Sequence, residues 1–384
     1  MLLDRLLDFL EEKKLMMPED RAYTLNLFLD ALKQDEPPQG ELQGEDIASC
    51  LAELSEWAAA RGIITDSNDE KDRFSARLAG AFTPHPAQVR KEFYERMRLG
   101  GPEAATQWFY QLCRDVDYIR VNRIAQNIQY TAPSPSGDLE ITINLSKPEK
   151  DPRDIAAAKN APQAGYPKCM LCRENPGYAG RVNFPARQNH RIIPTNLANE
   201  EWYIQYSPYL YYNEHCIVFS GKHEPMHLTR KSFERLFDFV DKFPHYFLGA
   251  NADLPIVGGS ILTHDHYQGG GHEFPMDKAE PLYAFDGPAR GCVVNWPMTC
   301  LRFTSRSREE LIDIGMKVLS AWREYDDPAC DVLSRTDAPH NTVTPVVRKL
   351  ENGEYRLHLV LRNNRVSDEH PLGIFHPHAP LHHR

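Results

Sequence analysis

The 384 residues carry 44 Lys plus Arg against 54 Asp plus Glu, a formal charge of −10 that excludes the basic footprint of a nucleic-acid-binding protein. A hydrophobic share of 41% with 10% aromatics excludes disorder as the main state, and the length suits two or three domains of about 100 to 200 residues. No run of about 18 apolar residues occurs, and Met1-Leu2-Leu3-Asp4-Arg5 has an acid where a secretory leader needs cations and then an apolar run. The expectation is a soluble cytoplasmic protein that engages neither nucleic acid nor a membrane.

Up to about residue 115 the pattern is helical. Leu3, Leu6, Leu7 and Leu10 share a helical face; Pro18 opens a second helix carrying Leu25, Phe28, Leu29 and Leu32, broken by Asp35 to Gly40. Helices are predicted over Ile47 to Ala60, Pro86 to Leu99 and Pro102 to Val116, the last two parted by Gly100-Gly101. Nothing here carries chemistry. Near residue 118 the period changes. Leu139, Ile141, Ile143 and Leu145 alternate with polar residues, and Pro133 to Gly137 turns the chain back from Tyr130, which predicts a hairpin with a half-buried strand opening a sheet domain. Lys147 to Gln163 reads as a crossing loop or short helix. Strands follow at Trp202 to Tyr206, Cys216 to Ser220, Ser260 to Gln268, Val293 to Phe303 and Tyr355 to Leu361, with helices at Arg230 to Phe243 and Arg308 to Tyr325. Strands mixed with helices in this order predict an α+β fold rather than a regular βαβ array.

Eight cysteines are too sparse for a disulfide scaffold, and Cys169 and Cys172 are the one close pair. Cys-x-x-Cys supplies two soft ligands; a tetrahedral site needs two more, and His223 and His264 are available. A redox dithiol is the alternative, but such pairs open a helix in a βαβ unit, which this neighbourhood does not resemble. The richest segment runs from Gly258-Gly259-Ser260 through His264-Asp265-His266-Tyr267-Gln268 to Gly269-Gly270-Gly271. On a strand His264, His266 and Gln268 would share a face at intervals of about 6 to 7 Å, and the flanking glycines let backbone approach an anion. The bland alternative is a polar edge strand between loops. An imidazole with a pKa of about 6.5 is largely neutral at pH 7 and can attack phosphorus while its other nitrogen is held, with carbonyls near Gly258 or Gly259, or a side chain, as holders. Gln268 can donate an amide N–H to a phosphate oxygen without giving up a proton.

The order Cys169-x-x-Cys172, Asn175-Pro176-Gly177-Tyr178, His215-Cys216-Ile217-Val218-Phe219-Ser220 with His223, then His264-x-His266-x-Gln268, resembles the galactose-1-phosphate uridylyltransferases of the histidine-triad superfamily, and most closely their second, mainly bacterial class. The likeness covers most of the chain from about residue 118. It implies two histidine-triad-like halves on antiparallel sheet: a helical extension over 1–117, a first half with the Cys-x-x-Cys over 118–243, and 244–384 with the His-x-His-x-Gln segment and second half. It further implies that His266 takes uridylyl from UDP-glucose, that galactose 1-phosphate removes it, and that Cys169, Cys172, His223 and His264 hold one structural zinc. By the same likeness Gln268 holds the transferred phosphate, Asn251 and Gly258 to Ser260 contact the phosphates, and the protein is a homodimer.

The sequence departs from that pattern in places. A second metal site of the first class needs histidines two apart on a late strand, where only His358 stands, so no intact second site is expected. Family members of the second class run on well past His382-His383-Arg384, which makes a truncated second half the expectation. Arg181, Arg187 and Arg191 are candidates for UDP or sugar phosphate, though surface arginines are usually solvated. The tail with His376, His378, His382 and His383 reads as strand or linker before it reads as a metal site. Rival functions are a related nucleotidyl transferase or hydrolase, and an inactive zinc-stabilised nucleotide-binding protein.

Overall fold

Leu3, Leu6, Leu7 and Leu10 are all fully buried; Leu3 stands at the N-cap and the other three on α1 (Asp4–Glu12), the first of six helices in the N-terminal region of a computed structural model that describes residues 1–146, 165–258, 261–287, 289–376 and 378. Pro18 starts a short 3₁₀ turn that leads into α2 (Arg21–Leu32). Asp46 and Ser49 form a reciprocal capping box at the start of α3 (Ile47–Ala60). A helix that the apolar pattern did not single out, α4 (Asn68–Phe82), begins where the Ser67 hydroxyl accepts from the Glu70 N–H at 3.3 Å. The long segment α5 (Pro86–Asp115) breaks at Gly101, whose φ of 83° lies outside the helical range, so the two helices parted by glycine are present as expected; α6 (Val121–Ile124) follows.

β1 (Ile128–Ser134) and β2 (Gly137–Ile143) form the expected hairpin as a separate two-stranded sheet. In β2 Leu139 and Ile141 are half-buried between exposed Asp138 and Glu140, as the alternation predicts, while Ile143 at its end and Leu145 beyond it are exposed. The expected loop or helix at Lys147 to Gln163 lies outside the described residues.

A ten-stranded sheet carries the rest. Its strands are β3 (Ile193–Leu197), β4 (Glu200–Tyr206), β5 (Cys216–Ser220), β6 (Phe247–Ala250), β7 (His266–Gly270), β8 (Pro281–Phe285), β9 (Arg290–Val294), β10 (Cys300–Ser305), β11 (Asn341–Lys349) and β12 (Tyr355–Asn363). Interleaved are α7 (Arg230–Lys242), α8 (Pro275–Lys278) and α9 (Arg308–Arg323). The spatial order is β3-β4-β5-β7-β6-β11-β12-β10-β9-β8. This is one arrangement used twice: three strands, a helix, then two strands, with the fifth strand lying between the third and fourth. The first copy runs from β3 to β7 around α7 and the second from β8 to β12 around α9, so the first continues to Gly270, past the boundary expected at 243. The fold is α+β, built on antiparallel sheet.

Two stretches read as single strands differ. Of the stretch Ser260 to Gln268, the described residues 261–265 are not strand and β7 begins at His266, and Val293 to Phe303 is two strands, β9 and β10, parted by Asn295 to Thr299 around Trp296-Pro297. By contacts the chain divides into residues 1–129, 142–194 and 205–211 as one unit and 130–141, 195–204 and 212–384 as another. No described helix is long and apolar enough to cross a membrane.

Candidate active site

The turn between β5 and α7 explains why His264 stands off the strand. Ser220 N donates to Asp265 O (3.0 Å), Asp265 N to Glu224 O (2.8 Å) and Met226 N to Leu262 O (2.9 Å), so residues 262–265 pair with this turn instead of extending β7. His264 therefore does not share a strand face with His266 and Gln268, which corrects the three-residue row. Its ring meets the Ser220 carbonyl through Nε2 at 2.8 Å and lies 5.0 Å from the His223 ring.

His266 and Gln268 do share a face of β7, and Asn251, one residue past β6, reaches both. Their bonds run in one direction. His215 Nε2 lies 3.0 Å from Gln268 Oε1, Gln268 Nε2 donates to Asn251 Oδ1 at 3.2 Å, and Asn251 Nδ2 lies 3.3 Å from His266 Nε2. His266 Nδ1 lies 2.8 Å from the His264 carbonyl, which can only accept. The proton of a neutral His266 is thereby on Nδ1, and the lone pair of Nε2 faces the Asn251 amide. The carbonyl that fixes this tautomer belongs to His264, not to Gly258 or Gly259. Burial holds the His266 pKa below the ordinary 6.5, with the His264 carbonyl opposing it, so the ring is uncharged at neutral pH and Nε2 keeps its lone pair.

The alternate residues of this stretch, Asp265 and Tyr267, serve the other side. Arg235 of α7 reaches Asp265 at 3.1 Å, Tyr267 Oη at 3.2 Å and Glu200 at 2.6 Å, and it lies over Trp202, which stacks on Tyr267 at 4.9 Å. Burial pushes the Asp265 carboxyl up to about 7 in spite of Arg235. This packing holds β7 at the position from which its polar residues project.

Cys169, Cys172, His223 and His264 form a cluster that can hold a metal ion, their ligand atoms all within 4.8 Å of one another. The Cys169 and Cys172 sulfurs are 3.6 Å apart; Leu171 N donates to Cys169 Sγ and Cys169 N to Cys172 Sγ, each at 3.4 Å. Asn175 ties the turn by donating to the Cys169 and Cys172 carbonyls at 2.9 and 2.7 Å. Burial, followed by the neighbouring Cys172, pushes the Cys169 thiol up to about 12, opposed by the Leu171 N–H. Two thiols and two imidazoles suit a borderline-soft divalent ion, whose charge offsets the cost of ionising the buried thiols.

The other candidates divide. Gly258 bridges to Ala252, and a Cβ there would lie 2.4 Å from the Ala252 carbonyl, so its close approach is to its own chain. Gly259 and Ser260 lie outside the described residues, as do His382 and His383. Arg191 spends its donors on the carbonyls of Pro84, Gln188, His190 and Thr83, which corrects its reading as a phosphate ligand: a guanidinium so engaged ties chain segments together. Arg187 is buried with its carbon 5.7 Å from the Tyr118 ring, and Arg181 binds the Tyr166 carbonyl and the Tyr178 hydroxyl. His378 bonds the Ile374 carbonyl and stacks on His370. Sequence reasoning gave His215 no role, although period-two counting from Ile217, which pairs with Gln268, puts it on the Gln268 face.

Comparison with known proteins agrees with this order of residues. The family model described as galactose-1-phosphate uridyl transferase, N-terminal domain, matches residues 14–225. The galactose-1-phosphate uridylyltransferase of Bacillus subtilis is 48% identical over 392 residues, 99% of this chain and 76% of that protein. That of Caldanaerobacter subterraneus subsp. tengcongensis is 47% identical with the same coverage of both chains, and galactose-1-phosphate uridylyltransferase 2 of Streptococcus pneumoniae is 52% identical over 95% of this chain and 74% of its own length. With a family model across more than half its length and relatives of such identity along nearly all of it, the chain belongs to the galactose-1-phosphate uridylyltransferase family.

Proposed function

We propose that the protein transfers uridylyl from UDP-glucose to galactose 1-phosphate through a covalent intermediate on His266, in two half-reactions. The observation that carries this reading is the 2.8 Å contact of His266 Nδ1 with the His264 carbonyl, which leaves Nε2 as the nucleophile. Nε2 attacks the uridylyl phosphorus, the N–P bond forms, and the bond to glucose 1-phosphate breaks with the electron pair leaving on its phosphate oxygen. The Nδ1–H bond stabilises the charge that develops on the ring. In the second half-reaction a phosphate oxygen of galactose 1-phosphate attacks the same phosphorus and His266 Nε2 leaves with its electron pair. Asn251 Nδ2, which faces Nε2 in the resting site, passes its hydrogen bond to a phosphate oxygen when Nε2 becomes bonded. Gln268, its amide orientation set by His215 and Asn251, donates to the same phosphate and cannot protonate a leaving group.

The cluster of Cys169, Cys172, His223 and His264 holds one zinc in this reading. Four protein ligands leave no open coordination position, so the ion supplies structure only. The family likeness supports a homodimer in this reading, and the composition and N-terminal pattern of the sequence support a cytoplasmic location. Incubation with UDP-glucose labelled in the uracil ring tests the function: label should stay on the protein and leave as UDP-galactose when galactose 1-phosphate is added. Label lost equally fast to water, or acquired from adenosine nucleotides instead, would overturn it.

A further inference from the structure

Directly paired residues across an antiparallel sheet point to the same face. One such row runs Gln268, Gly249, Val346, His358, Arg302, Cys292, through β7, β6, β11, β12, β10 and β9. The face that presents Gln268 in the first repeat therefore presents His358 in the second, three strand spacings or about 14 Å further along, and Arg302 one strand beyond it. β12 is the counterpart of β7, the fifth strand of its copy. Where β7 has His266 and Gln268, β12 has Arg356 and His358. Arg356 pairs with Thr304 on one side and Arg348 on the other, so three guanidiniums surround one imidazole.

Their counter-charge is incomplete. Asp277 of α8 is the carboxylate facing them, at 3.5 Å from Arg356 Nη1, 3.7 Å from Arg348 Nη2 and 3.8 Å from His358 Nδ1, all longer than a good charge-assisted hydrogen bond. One of its oxygens already accepts from the Phe274 N–H at 3.1 Å. Arg302 and Arg356 each donate to the Asp277 main-chain carbonyl at 3.2 Å, and Arg302 also to that of Ala279 at 3.0 Å; Arg348 donates to the His272 carbonyl. Arg348 Nε, Arg356 Nε and His358 Nε2 are buried and find no hydrogen-bond partner among the described residues, and His358 itself is 2% exposed. Arg302, Thr304 and Arg356 line a cleft of about 470 Å³. At its rim Lys278 pairs with Glu273 and Arg290 with Glu354, while Glu280 adds a second carboxylate to the lining. The interior surplus is cationic, and the same arginines, after burial, depress the His358 pKa to about 3, which makes a second metal ion beside it unfavourable.

We propose that this cleft is an anion site in which Arg302 and Arg356 hold a phosphate group, either inorganic phosphate or that of a small phosphomonoester. It shares no residue with the His266 site and does not depend on the uridylyl-transfer reading. On the face where the first repeat carries Gln268, the second carries the fixed positive charge of Arg302 and Arg356.

Calorimetric titration of the full chain with inorganic phosphate, and separately with galactose 1-phosphate, tests this, with thermal unfolding in parallel. Arg302→Met and Arg356→Met, which keep the apolar stem, should each weaken binding at this site about tenfold or more, the usual cost of one charge-assisted contact, and abolish its contribution to thermal stabilisation by phosphate. Arg356→Lys, which keeps the charge but loses the fork, serves if a Met variant does not fold and should also bind more weakly. Variant-sensitive binding that is tighter for the sugar phosphate identifies a phosphomonoester site; equal binding identifies inorganic phosphate. Phosphate affinity and stabilisation identical in wild type and all three variants would overturn the proposal.

Discussion

His266 Nε2 is reactive only when unprotonated, and burial lowers its pKa from 6.5. The sign follows: the reactive form persists as pH falls through 6.5 and is lost only below that. Covalent labelling by UDP-glucose should therefore keep more than half its maximal rate at pH 6.5 and be halved only at more acid pH, measured as single-turnover rate. A rate already halved at pH 7 or above would contradict an uncharged, buried ring. Gln268 has its orientation set by His215 on one side and Asn251 on the other. Gln268→Ala should cost about 2 to 4 kcal/mol in transfer, the loss of one preorganised donor. Gln268→His places an acid where glutamine has none and should speed loss of isolated label to water relative to galactose 1-phosphate. Unchanged partition between sugar phosphate and water in both variants would mean that Gln268 does not face the phosphate.

β7 is only five residues long, and its placement depends on a close approach of backbones at Gly269. A Cβ there would lie 2.5 Å from the Phe247 carbonyl of β6 and 3.3 Å from Cys216 Sγ of β5. Gly269→Ala should push the two neighbouring strands apart, destabilise the fold by about 1 to 3 kcal/mol in chemical denaturation and lower labelling through its neighbour Gln268. A variant with wild-type stability would show that the approach is not tight. How much of this was legible varies with the reach of the forces involved. Helices with local start signals, such as Pro86 and Arg308, and the apolar run Cys216 to Ser220 were readable because their determinants lie within a few residues. The start of β7 was not, because the apolar Ile261 and Leu262 invite an earlier start while Leu262 O accepts from Met226 N and Asp265 N donates to Glu224 O, in a turn some forty residues earlier. Nor was the break between β9 and β10, where apolar residues run on through Trp296. The His-x-His-x-Gln spacing identified the right residues, but that His264 turns away from the other two depends on Ser220 and Glu224, which no period reveals.

At the scale of the molecule, one five-stranded arrangement appears twice in a single sheet, and only the first copy carries His-x-Gln on its fifth strand. Cys169, Cys172, His223 and His264 can hold one metal ion. Because a metal bound only by the folded chain adds its binding free energy to folding, chelation or Cys172→Ser should lower the unfolding temperature by several degrees or more. Unaltered melting together with less than one metal per chain in active protein would remove the zinc from this account. The central claim is that His266 forms the bond to uridylyl. Its most direct test is incubation of His266→Gly with labelled UDP-glucose, followed by denaturation and counting of protein-bound label. The result expected is none, with the fold and metal content of the wild type; label retained on the variant at the wild-type level would place the nucleophile elsewhere.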